Sequence, residues 1–139
     1  MQREGLEVYY ECNFPTKATL AYMQKVTGIG GVFFKAHDPE KLMAWYEEHL
    51  GIQFNHGYIE FTAPGSTVFS IKKEDSTEFD PSKKEFMLNF RVADLRSLLV
   101  ELREKGVTII GEIEEYDYGR FGHIIDPEGN KIDLWEPAK

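Results

Sequence analysis

One cysteine, Cys12, stands among 139 residues, so no intrachain disulfide can form and a reducing, cytoplasmic setting is expected. No apolar run approaches the about 20 residues that carry a helix across a bilayer, so no membrane partner is expected. Basic residues are in deficit, with 16 Lys and Arg against 24 Asp and Glu and a net charge of −8. A nucleic-acid partner needs a basic face, so none is expected. The N-terminus lacks the charged-then-apolar pattern of a secretory signal. Glu4, Glu7 and Glu11 argue against a transit peptide.

What is present is the composition of a globular protein, with 42% hydrophobic and 29% charged residues. The length suits one domain or two fused half-domains sharing a core. The most informative stretch is 121–137, FGHIIDPEGNKIDLWEP. Two alternating runs flank Asp126-Pro127-Glu128-Gly129, where Pro presets φ and Gly tolerates a positive φ, which predicts a β-hairpin. Alternation puts Ile124, Ile132 and Leu134 on one face. It puts Phe121, His123, Lys131, Asp133 and Trp135 on the other.

Residues 58–71, YIEFTAPGSTVFSI, form a weaker copy of this hairpin. At an offset of 63, Pro64 falls on Pro127, Phe61 on Ile124, Glu60 on His123 and Ser70 on Asp133. The preceding segments repeat at an offset of 56, which sets Phe34 on Phe90, Asp38 on Asp94 and Leu42 on Leu98. The second unit therefore carries seven extra residues, located around Gly111–Tyr116. Such self-similarity predicts two like units packed together.

Residues 1–27 form an N-terminal extension outside the repeat, with a strand expected at 6–11 and a short helix at 16–26. GIGGVFFKA then reads as a strand. Asp38 is a good N-cap and Pro39 suits the first helical position. Leu42, Trp45, Tyr46 and Leu50 follow helical spacing up to Gly51. Ile52–His56 reads as a short strand with His56 in a turn, and His37 and His49 sit beside helix ends. Residues 74–85 are charged and turn-rich and read as a linker. FMLNFRV alternates as a strand, Asp94 caps a second helix ending at Gly106, Val107–Glu115 is a strand, and EEYDYGR reads as a loop. Each unit, 28–73 and 86–137, is thus βαβββ within one α+β domain spanning 28–137.

GIGGVFFKAHDPEKLMAWYEEHLGI, FMLNFRVADLRSLLVELREKGV and DPEGNKIDLWEP together resemble the vicinal oxygen chelate superfamily. This is the fold of glyoxalase I, extradiol dioxygenases and the fosfomycin- and bleomycin-resistance proteins. The resemblance implies that the mixed sheets of the two units form a cup that holds a small molecule. It says little about the reaction, because one fold hosts many chemistries. In metal-using relatives two positions per unit ligate a divalent ion. Carried onto this chain they fall on Gly31, Ser70, Met87 and Asp133, and only Asp133 is a ligand type, so no metal at the usual site is expected.

The cup face is expected to carry Phe33, Lys35, Tyr58, Glu60, Ser70, Lys72, Met87, Asn89 and Arg91 from the earlier segments. Phe121, His123, Asp133 and Trp135 join them. His123 beside Glu60 or Asp133 has the chemistry of a general acid or base near neutral pH, or is simply a hydrogen-bonded histidine. Arg91 and Lys35 suit an anionic group, Asn89 and Ser70 a polar one, and Phe121 and Trp135 a flat one. Lys35, Lys72 and Lys131 are otherwise solvated rim residues. Tyr116, Tyr118, Arg120 and Phe121 suit a lid or a self-ordered loop.

Three functions follow. The first is a metal-independent lyase or isomerase acting on a small anionic or carbonyl substrate through His123 with Glu60 or Asp133. The second is a binding protein of bleomycin-resistance type that sequesters a ligand without chemistry. The third is a metal-dependent lyase or dioxygenase with a displaced site at Glu60, His123 and Asp133. A homodimer is expected, since each sheet leaves an edge.

Overall fold

The computed structural model describes residues 25, 26 and 28–139. The strand expected at 6–11 lies outside the described residues, as does all but the end of the helix expected at 16–26. The chain forms two compact units. One comprises the residues up to Phe34 together with Glu60–Lys72, and the other Lys35–Ile59 with Lys73–Lys139. All helices and strands among the described residues belong to the second.

Helix α1, Pro39–Leu50, starts and stops where its termini dictate. Asp38 Oδ1 accepts from the Lys41 amide at 3.2 Å, and Gly51 ends the helix at φ 68°. The carboxylate of Glu128 adds a second cap, accepting from the amides of His37 at 2.9 Å and Asp38 at 3.0 Å. These two bonds hold the Glu128 carboxyl below its ordinary pKa. Helix α2, Leu95–Glu104, begins at Asp94, which accepts from both the amide and the hydroxyl of Ser97. The Leu95 amide donates to Glu136 at 2.9 Å.

The strands are β1, Leu88–Arg91; β2, Thr108–Tyr116; β3, Gly119–Ile125; and β4, Lys131–Pro137. They form one mixed sheet in the order β1-β4-β3-β2, with β1 parallel to β4 and the other pairs antiparallel. This is the βαβββ unit expected over 86–137. Ile124, Ile132 and Leu134 meet Leu95, Leu99 and Leu102 of α2 in a core that also takes Leu42 and Tyr46 of α1. Each such aliphatic side chain, fully buried, contributes about 1.5–3 kcal/mol. Gly122 lets α2 come close, because a Cβ there would stand 2.9 Å from Leu99 Cδ1 and 3.3 Å from Leu95 Cδ1.

The hairpin turn is a polar knot. Asp126, 3% exposed, accepts on Oδ1 from the amides of Glu128 and Asn130. On Oδ2 it accepts from Asn130 Nδ2 and from the Tyr46 hydroxyl, both at 2.8 Å. Burial, with this carboxylate beside it, drives the Tyr46 pKa far above its usual value. The turn therefore fastens α1 to the sheet.

Three expectations are corrected. EEYDYGR is not a loop: β2 runs on to Tyr116 and β3 begins at Gly119, leaving a tight turn at Asp117–Tyr118. The cross-strand pair Glu115↔Arg120 and the stacked tyrosines 116 and 118 support this hairpin end, so the lid reading goes with the loop. Lys131 is not a solvated rim residue. It is 7% exposed, and its ammonium donates to the Glu78 carbonyl at 2.6 Å. The segment 74–85 is irregular, as a linker should be, but it is fastened: Lys84 Nζ also donates to Asn130 Oδ1 at 3.0 Å. Finally, the described residues of 28–36 and 58–71 carry no strand, and Ile52–His56 contributes only an isolated bridge, Asn55↔Tyr58. Alternation marks a chain that can form a strand, but a ladder needs a partner, and two strands alone are marginal in water. His56 does lie in a turn, at φ 57°.

No helix among the described residues is long and apolar enough to cross a membrane.

Candidate functional site

The antiparallel register of β3 and β4 sets His123 directly opposite Asp133 and Phe121 opposite Trp135. Their sequence neighbours Gly122, Ile124, Ile132 and Leu134 are buried toward the helices, so these four project from the other face. The parallel register of β1 then aligns Asn89 with Asp133 and Arg91 with Trp135. Leu88 and Phe90 pack on the core, while Asn89 and Arg91 are exposed. Six of the residues picked from the sequence therefore share one sheet face.

His123 is the chemical centre of that face. Its Nδ1 lies 2.6 Å from Asp133 Oδ1. An ionised carboxylate can only accept, so Nδ1 carries the proton and donates. Nε2 lies 3.5 Å from Glu114 Oε2, a charge contact longer than an ordinary hydrogen bond. The His123 and Asp133 side chains are 13% and 12% exposed, whereas Glu114 is about half-exposed. The hydrogen bond to Asp133 raises the imidazole pKa above its ordinary value, and the charges of Asp133 and Glu114 act in the same direction. Burial and the Lys131 charge oppose them without prevailing.

Beside the imidazole lies a set of aromatic rings. Phe121 and Trp135 stack at 5.9 Å and 8°, and Tyr116 and Tyr118 stack at 5.2 Å and 4°. Phe121 meets both tyrosines edge to face. Trp135 Nε1 donates to the Tyr118 carbonyl at 3.0 Å, and the Tyr116 hydroxyl to Glu114 Oε1 at 3.0 Å. Glu114 thus links the rings to the imidazole.

The remaining expected residues lie elsewhere. Lys35 belongs to the same compact unit and is exposed in an irregular segment. Glu60 and Ser70 are exposed residues of the other unit. Within its own unit, the second carboxylate at His123 is Glu114. Alternation did not find it, because β2 slips against β3. Ile110 pairs with His123 and Glu114 with Phe121, so Gly111, Glu112 and Ile113 stand against Gly122 alone. The repeat offsets had put extra residues there, and that was the available signal.

The residues do not fit the four-ligand metal centre. Gly31, Ser70 and Met87 offer neither imidazole nor carboxylate, and Asp133 Oδ1 is engaged by His123. Among the described residues no three His, Cys, Asp or Glu side chains converge to hold a metal ion.

Comparison with solved structures gives similarity at low identity. An antibiotic-binding protein, TnmS3, from a Streptomyces species is 22% identical, with a TM-score of 0.47 over 74% of this chain and 89% of that one. A glyoxalase/bleomycin resistance protein/dioxygenase superfamily member from Sphaerobacter thermophilus is 22% identical, with a TM-score of 0.46 over 71% and 88%. The oxidase ChaP-H2 is 16% identical, with a TM-score of 0.42 over 74% and 87%. No curated protein matches the chain. The family model of the Glyoxalase/Bleomycin resistance protein/Dioxygenase superfamily matches residues 28–134, from ahead of α1 into β4. The chain belongs to that superfamily.

Proposed function

We propose that this chain is a metal-independent lyase or isomerase that moves a proton on a small anionic or carbonyl substrate, with His123 as the acid–base group. The observation that carries the reading is the 2.6 Å hydrogen bond from His123 Nδ1 to Asp133. It fixes the tautomer and leaves Nε2 to exchange a proton with a substrate. The raised pKa, caused first by the hydrogen bond to Asp133, favours the imidazolium, which can give the proton back. Glu114, half-exposed and 3.5 Å from Nε2, would yield its place to the substrate. Arg91 supplies charge for an anionic group, Asn89 a donor for a carbonyl, and the Phe121–Trp135 stack a surface for a flat portion.

The test is isotope exchange from deuterated water into small α-hydroxy and α-keto carbonyl compounds. His123→Gln keeps a polar group of similar size and should cut exchange by ~10²–10⁴. Exchange indifferent to His123→Gln would sink the assignment. Near-stoichiometric divalent metal in protein purified without chelator, lost in Asp133→Ala, would replace it with the displaced-site reading.

A ligand-sequestering role without catalysis is the second reading. Its specific support is the aromatic set together with the near-burial of His123 and Asp133. Under that reading His123→Gln leaves ligand affinity unchanged, while Trp135→Ala lowers it.

The assembly we propose is a homodimer. In the first compact unit Phe33 is 93% exposed, and Phe69 and Ile71 are also strongly exposed, more apolar surface than a monomer ordinarily presents. Sedimentation should give twice the 16.1 kDa chain mass. A monomer at micromolar concentration would refute it.

A further inference from the structure

Lys131 is the one buried cation among the described residues, at 7% exposed. An ammonium has three donors, and one goes to the Glu78 carbonyl at 2.6 Å. The other two meet no acceptor among the described residues, and no carboxylate there pairs with the charge. A buried cation is costly until an anion or further acceptors complete it.

The strand register shows what lies beside it. Lys131 stands two residues before Asp133 on β4, so both project from the same face. Asp133 is set opposite His123, and Lys131 opposite Ile125. Lys131 and His123 are therefore diagonal neighbours, roughly 7–8 Å apart at the backbone, which a long side chain spans. The Lys131 charge does act on the imidazole, against the pull of Asp133. The other charged groups around the imidazole are more exposed. Glu114 of β2 stands 3.5 Å from Nε2, and Arg91 of β1 is aligned with Trp135. Arg96 and Arg103 of α2 and Glu112 of β2 border it from the helix side.

The proposed reaction needs a cation here. When His123 Nε2 takes a proton from the carbon beside a carbonyl, the C–H bond breaks and its electron pair moves onto the carbonyl oxygen. The imidazolium and Asp133 are then a neutral pair. The buried charge left to meet the new oxyanion is the Lys131 ammonium. Return of the proton to carbon restores the carbonyl.

We propose that Lys131 is the electrophilic catalytic residue of this site, donating to the substrate oxygen on which negative charge develops. It rests on His123 as the base, and it makes the substrate a carbonyl compound that reacts through its enolate.

Oxalate and oxamate are the probes, titrated into the full chain by calorimetry. They are alike in shape and size. Oxalate carries an oxyanion where oxamate carries a neutral amide, so the pair imitates the enolate and the keto form of pyruvate. Oxalate should bind more tightly, and Lys131→Met should reduce that preference roughly tenfold or more, the scale of one charge-assisted hydrogen bond. Lys131→Arg should recover part of it, because the charge is kept. Lys84→Met is the control for a merely structural lysine. It frees the same 74–85 segment from Asn130 and should leave the preference unchanged. Deuterium exchange into pyruvate should fall by ~10²–10³ in Lys131→Met, as on loss of one oxyanion donor. Unchanged circular dichroism would show that the variants fold, and the wild-type comparison needs no variant. The proposal is overturned if the wild type binds oxalate no better than oxamate, if the preference survives Lys131→Met, or if Lys84→Met removes it as fully. Exchange that His123→Gln abolishes and Lys131→Met leaves intact overturns it while the base assignment stands. Exchange indifferent to His123→Gln removes the base assignment, and this proposal with it.

Discussion

Removing one oxygen atom tests how the hairpin turn holds α1. Tyr46→Phe keeps the ring, so it leaves no cavity and preserves the edge contacts with Trp45 and Phe90. It deletes the 2.8 Å bond to Asp126 Oδ2 and nothing else. Asp126 is 3% exposed, so water cannot readily take the place of the hydroxyl. A hydrogen bond to a charged group contributes about 1.5–3 kcal/mol. Three donors stay on the carboxylate, so a loss of about 2 kcal/mol is expected, or a fall in Tm of roughly 5–10 °C for a chain of this size. Urea unfolding should show the midpoint lowered and the m-value unchanged, because the same surface is exposed on unfolding. Asn130 Nδ2 donates to the same Oδ2, so Tyr46→Phe and Asn130→Ala should be coupled by at least about 0.5 kcal/mol in a double-mutant cycle. A loss below about 0.5 kcal/mol for Tyr46→Phe, or strict additivity, would refute the shared-carboxylate argument.

Other outcomes follow from the same reasoning. The folded-state pKa of His123 is raised above its unfolded value, so its contribution to stability is fully present below about pH 6.5 and is lost as pH rises through the folded value; pH-dependent unfolding of the wild type and His123→Gln should differ in that window. Asp133→Asn should lower the His123 pKa, read from its ring proton shifts, and an unchanged titration would deny the 2.6 Å bond its role. Glu128 has a depressed pKa, so the contribution of its cap is lost as pH falls through the folded value, and Glu128→Gln should flatten the acid limb of the stability curve. Gly122→Ala should destabilise by about 1–3 kcal/mol, since its Cβ would press on Leu99 and Leu95. Gly119→Ala should be worse, because φ is 131° and the Cβ would meet the Glu136 carbonyl.

The parts of the fold legible in the sequence are those whose signals are local. Asp38, Asp94 and Gly51 end helices by contacts within a few residues, and the capped segments are helices. The alternation of FGHII and KIDLWEP was long enough to assign a face to every side chain, and His123 and Asp133 meet across the strands as that parity requires. Lys131 was misplaced because its acceptor is a backbone carbonyl 53 residues away, which leaves no trace in composition. Glu114 was missed because a slipped register carries side chains to positions that alternation does not predict. EEYDYGR looked like a loop because its Gly and its charges are turn-formers taken singly, whereas across two strands they make an ion pair and a ring stack. The strands expected in 28–36 and 58–71 show that alternation records what a segment can do once a partner edge is supplied.

The parallel pairing of β1 with β4 also sets a schedule for biosynthesis. Among the described residues β1 has one neighbour in the sheet, and that neighbour is the last strand in chain order. After Arg91 is made, 46 further residues must follow before Pro137 completes β4. At roughly 5–20 residues per second that takes about 2–9 s. The β2–β3 hairpin and α2 rest on contacts close in sequence and can form within that interval. Leu88 and Phe90 wait beside an unpaired edge until β4 arrives between β1 and β3. A ribosome that stalls within the turn before Lys131 would therefore hold out a chain whose nearly finished sheet is split in two, with its apolar face open to whatever binds nascent chains.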